Sequence, residues 1–181
     1  DFKYVSHEIY GGKKKLAGLP ATYTENEEEA TSLDITLHDS VMDTDLVLTY
    51  SVYEDYPVVT RSARLVQKGD QKIRLENVMS AAVEFPDMDY EMIHLSGAWA
   101  RERYVKTRKL EMGIQAVQSL AGTGSSSEQN PFIALKRPHT TEDTGEVFGF
   151  SFVYSGNFLA QVEVSTYEMT RVMMGINPQG F

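Results

Sequence analysis

Apolar and polar residues alternate with period two in one run after another along this chain. Leu33, Ile35 and Leu37 fall on one face, and Leu46, Leu48, Tyr50 and Val52 repeat the pattern more cleanly. Successive side chains of a strand point to opposite faces, so each run predicts a half-buried β-strand. Phe2 and Tyr4 already alternate at the start. "PVVTRSARLVQ" predicts a further strand, and "KGDQ" at 68–71 reads as a tight hairpin turn into "KIRLE", where Ile73 and Leu75 alternate. "VMSAAVEF" and "EMIHL" predict strands on either side of a Pro86–Asp87 turn. "EVFGFSFVYSGNFLAQVEV" holds two β-rich runs around Ser155, Gly156 and Asn157, read as a second hairpin. Phe158, Ala160, Val162 and Val164 alternate along its second arm, and "TRVMMGI" predicts a last strand.

One segment dissents. In "RKLEMGIQAVQSLAG", Leu110, Ile114, Val117 and Ala121 fall at helical spacing, although Gly113 weakens a helix and alternation fits as well. The segment leans towards extended structure. "GTGSSSEQNP", 122–131, reads as a loop. With no internal repeat and no long linker, the pattern predicts a single, largely antiparallel all-β domain over residues 1–181.

Composition narrows the function classes. The 181 residues carry 17 Lys and Arg against 26 Asp and Glu, a formal net charge of −9. That balance argues against nucleic acid as a partner, which needs a basic face. No apolar run reaches the ~18 residues of a membrane span, so no membrane partner is expected. Cysteine is absent, which excludes disulfides and zinc–sulfur sites and fits a reducing cytoplasm. The opening "DFKYVSHEIY" has no leading methionine and the chain closes on "GINPQGF", so both ends read as cut from something longer.

Chemistry-bearing patterns are sparse. His7, His38, His94 and His139 are scattered without the spacing of a metal-ligand pair. "GTGSSS" has no Lys-Ser/Thr after it, and Ser125, Ser126 and Ser127 lack a nucleophile-elbow context. Asp87 and Asp89 in "FPDMDY" are the better acid/base candidates by spacing, but Asp beside Pro is also ordinary turn chemistry. Glu142 and Asp143 read as an exposed connection, and Glu25–Glu29 as a solvated acidic loop. Arg101, Glu102, Arg103, Lys106, Arg108 and Lys109 read as a solvated or interface face.

The only tryptophan, Trp99, closes a strand-like run in "HLSGAWARER" and precedes three charged residues. A lone Trp is often core. Here its context sets one edge near water, and an exposed indole face suits the C–H face of a sugar ring.

Four stretches in order, "DFKYVSHEIYGGKKKLAGLPATY", "HLSGAWARERYVKTR", "SSSEQNPFIAL" and "GEVFGFSFVYSGNFLAQVEV", resemble the N-terminal domain of the bacterial α-galactosidases of glycoside hydrolase family 36. The resemblance implies an antiparallel β-supersandwich of the galactose mutarotase-like kind. In the family a (β/α)₈ barrel and a small C-terminal β domain follow. This chain is expected to start after the family's first strands and to stop before the barrel. For the complete enzyme the resemblance implies removal of terminal α-galactose from melibiose or raffinose with retention. Two barrel aspartates do this chemistry, and retention needs carboxylates only about 5–5.5 Å apart. The expected partners are α-galactosides, bound through the barrel of the same enzyme, and further copies in a homo-oligomer, up to a tetramer. No cofactor and no metal are implied.

By motif match, Trp99 is the tryptophan that the family sets as a wall of the galactose pocket, and the sole substrate-binding residue expected here. Arg101, Glu102 and Arg103 match the motif as braces of that loop and of the contact with the barrel. Where family members often carry a histidine, this sequence has Ser127 and Glu128, so Ser125–Asn130 takes no assigned role. No catalytic residue is expected, and the piece alone is expected to be inactive. A stand-alone galactoside-binding module and a purely structural assembly domain remain the alternatives.

Overall fold

The computed structural model describes residues 1–122, 128–154 and 156–177, with the backbone alone at residue 78. These residues fold into two compact units, Asp1–Leu75 and Glu76–Phe181. Every strand pairing in both is antiparallel.

The first unit is one four-stranded sheet in sequence order: β1 (Lys3–Gly11), β2 (Ala30–Asp39), β3 (Thr44–Tyr53) and β4 (Val59–Gln67). Its register sets Leu33 opposite Tyr50, Ile35 opposite Leu48 and Leu37 opposite Leu46. The alternation in the sequence is therefore a set of cross-strand apolar pairs, the unit of sheet stabilisation. On the other face Ser32 and Ser51 are buried opposite each other, their hydroxyls 2.7 Å apart.

The second unit is a sandwich of two sheets. One has the order β10 (Val147–Ser151), β9 (Gln129–Lys136), β6 (Glu91–Ala98), β7 (Arg101–Lys109). The other has the order β5 (Val78–Phe85), β12 (Thr170–Ile176), β11 (Phe158–Val164), β8 (Gly113–Ser119). Met92, Ile133 and Leu135 of the first sheet pack with Phe85, Val117, Phe158, Val162 and Val172 of the second in one core. Strand β11 is its spine, since Phe158, Ala160, Val162 and Val164 are all buried while the residues between them are partly exposed. Arg137 joins the end of β9 to the turn after β5. Its guanidinium donates to both Asp87 carboxylate oxygens at 2.6 and 3.1 Å and lies 4.0 Å over the Tyr90 ring.

Three expectations are corrected. "KIRLE" is not a strand: β4 ends at Gln67, and Ile73 and Leu75 lie in a connection without a ladder partner. The runs 147–151 and 158–164 do not form a hairpin, because β10 pairs with β9 while β11 pairs with β12 and β8. Their connection carries the chain from one sheet to the other; Ser155 itself lies outside the described residues. The loop at 122–131 ends sooner than its composition predicts. Strand β9 begins at Gln129, and Pro131 is accommodated where the register shifts between the His94 and Ser96 pairings. The segment at 110–121 follows its expectation and is extended over β8 (Gly113–Ser119). Gly113 has φ of +100°, and the helical face it would need is split between buried Val117 and exposed Ile114.

Candidate functional site

The segment 94–103 folds as a hairpin. Strand β6 runs up to Ala98, Trp99 and Ala100 form a two-residue turn, and β7 returns from Arg101. Three local features fix its shape. Ala100 and Arg103 both have positive φ, +61° and +63°. The register runs from Ser96 opposite Tyr104 to Ala98 opposite Arg101, so Glu102 and Arg103 together oppose Gly97 alone, a β-bulge. Gly97 is required there: a Cβ would lie 2.8 Å from the Glu102 Cα and collide with the Arg101 carbonyl oxygen.

Trp99 at the tip is 86% exposed. Such a ring gains almost nothing from folding, because the stabilisation of an aromatic side chain comes from buried area. Behind it Glu102 reaches back, its Oε1 accepting the Ala100 N–H at 3.0 Å. Tyr104 and Val105 follow on an edge strand whose nine residues are all exposed. Sequence reading singled out Trp99 and missed the bulge; the signal for it was a glycine just ahead of a turn.

Two strands into the same sheet, His94 is buried on β6. Arg108 on β7 approaches its Nε2 at 3.0 Å. An arginine only donates, so Nε2 accepts and the ring is the neutral tautomer with its proton on Nδ1. Burial first, and then Arg108, lower its pKa.

The remaining candidates are dispersed. Asp87 and Asp89 do not form an acid/base pair, since Asp87 is held by Arg137 and accepts the Asp89 N–H. Its carboxyl is lowered chiefly by Arg137, the wrong direction for a general acid. Glu142 and Asp143 sit in the exposed turn joining β9 to β10. In the 25–29 run the Glu29 carboxylate caps its own loop, accepting the Glu25 N–H and the Asn26 amide. His7 lies against Tyr4 and His38 against Asp45, on separate strands of the first unit. Ser125, Ser126 and Ser127 lie outside the described residues. A recess on the second unit is lined by Asn77, Gln118, Leu159 and Gln161, and does not include Trp99. No helix among the described residues is long and apolar enough to cross a membrane.

Among known proteins, α-galactosidase AgaA of Geobacillus stearothermophilus is 51% identical over 181 residues, covering all of this chain and 25% of that protein. Alpha-galactosidase 1 of Pediococcus pentosaceus is 43% identical over 178 residues, 98% of this chain and 24% of that protein. The crystal structure of an AgaA variant in complex with raffinose superimposes with a TM-score of 0.96 at 51% identity, over 100% of this chain and 25% of that one. The chain thus spans about a quarter of the length of these relatives. Its antiparallel sheets define an all-β domain of the kind these sugar-cleaving enzymes contain. Residues 1–181 match the glycosyl hydrolase family 36 N-terminal domain, and the chain belongs to that family.

Proposed function

We propose that this chain is the N-terminal domain of a retaining α-galactosidase acting on terminal α-galactosides such as melibiose and raffinose. In this reading it contributes no catalytic carboxylate and presents Trp99 as a wall of the galactose pocket, which a catalytic barrel of the same enzyme completes. The observation that carries the reading is an indole 86% exposed on a two-residue turn. A flat ring held out on a short turn costs little ordering entropy when a sugar stacks on it. Family membership and relatives that are α-galactosidases support the reaction class. The same reading includes a cytoplasmic location and a homo-oligomer.

The test is Trp99→Ala and Trp99→Phe in the enzyme that carries this chain. The alanine variant is expected to raise KM for raffinose by about tenfold, the ratio set by a stacking contact worth about 1.4 kcal/mol. Phenylalanine should recover part of that loss. Unchanged constants in both variants would return Trp99 to a purely structural role. Galactose binding to the 181 residues alone would favour a self-sufficient binding module.

A further inference from the structure

The Trp99 turn is unusual in how little holds it. Two-residue hairpins favour glycine or asparagine where φ is positive, yet the left-handed position here is Ala100. Its N–H belongs to a turn residue with no ladder partner, and a carboxylate takes that bond instead. Glu102 Oε1 accepts it at 3.0 Å, a charge-assisted bond of the stronger kind. Glu102 is in position because of the bulge: with Arg103 also left-handed and Gly97 lacking a Cβ, two residues of β7 oppose one of β6. Although Arg101 and Arg103 flank it, no salt bridge occupies Glu102 among the described residues.

We infer that Glu102 is a positioning residue for sugar recognition: its carboxylate, aimed by the Gly97–Arg103 bulge, locks the Ala100 amide and so holds the Trp99 ring in one orientation. This rests on the reading of Trp99 as a sugar wall. Glu102 touches no substrate; it acts through the indole. The expected chemistry is a preorganised aromatic face for a pyranose ring, with the ordering cost met by the protein before the sugar arrives.

The chain's single tryptophan makes the test direct. Glu102→Ala, Glu102→Gln and, as a charge control, Arg101→Ala are made in the 181-residue chain and in the α-galactosidase that carries it. In the chain, Trp99 fluorescence anisotropy is expected to fall in Glu102→Ala and to stay at the wild-type value in Arg101→Ala. Glu102→Gln should largely restore it, because the amide oxygen still accepts the N–H. Far-UV circular dichroism confirms that each variant keeps its sheets. In the enzyme, Glu102→Ala should raise KM for raffinose about fivefold with kcat within twofold, the ratio that a hydrogen bond of about 1 kcal/mol sets. An anisotropy in Glu102→Ala equal to wild type overturns the proposal. So does a fallen anisotropy with unchanged KM when Trp99→Ala does raise KM. If Trp99→Ala itself leaves KM unchanged, the sugar reading of the site fails and the recognition role of Glu102 fails with it, while the anisotropy still reports separately whether Glu102 holds the turn.

Discussion

His94 shows how much one residue's environment decides. In the folded chain it is buried beside two cations, with Arg108 on its Nε2 and Lys106 opposite it on β7. Burial, Arg108 and Lys106 all disfavour its protonated form. Its folded pKa therefore lies below the ordinary histidine value of about 6.5, which the unfolded chain keeps. Between those two values the unfolded state binds more protons, so stability is fully present above about pH 6.5 and falls as the pH is lowered through that window. Urea midpoints measured from pH 7.5 to 5 should decline in the wild type. The decline should be shallower in His94→Gln, which keeps an acceptor for Arg108 but does not titrate. Nothing in "EMIHLSG" distinguishes this buried histidine from His7, which lies on an exposed edge strand. What separates them is the strand each residue packs against, and that partner lies outside the local pattern. The exposure of Trp99 was legible because turn and charge signals flank it; the bulge that aims Glu102 was not, because it is a register irregularity between two strands.

Among the elements, alternation identified strands well and their partners poorly. The β11 pattern was readable residue by residue, since all four apolar positions reach the core. Phe158→Ala should cost about 3–5 kcal/mol, the range for removing a fully buried aromatic from a packed core, and chemical denaturation would measure it. Sheet membership was not readable. A turn between two β-rich runs looks the same whether the chain doubles back beside itself or steps across to the facing sheet, as it does between β10 and β11. "KIRLE" fails for a related reason: alternation supplies an amphipathic ribbon, but a strand also needs an edge to pair with. The 110–121 ambiguity is resolved by one backbone angle at Gly113, incompatible with a helix at that point.

Taken whole, the molecule combines an acidic composition with a basic strand at the rim of a sheet. Strand β7 carries Arg101, Arg103, Lys106, Arg108 and Lys109 against Glu102 alone, in a chain of net charge −9. Charged side chains along an unpaired edge discourage it from templating further strands. The sandwich also joins distant parts of the sequence. Among the described residues strand β5 has one neighbour in its sheet, β12, with Phe85 opposite Thr170 and Val83 opposite Val172. During synthesis β5 must therefore wait while about 85 further residues are made, roughly 4–17 s at about 5–20 residues per second. Until then β5 has no ladder partner and β11 is paired on one side only, by β8. A polypeptide ending at Tyr167 should consequently be degraded or aggregate in cells, where one ending after Ile176 accumulates, and a pulse-chase comparison of the two lengths would show it. The ribosome thus meets this unit as a structure whose stability arrives late, with β12.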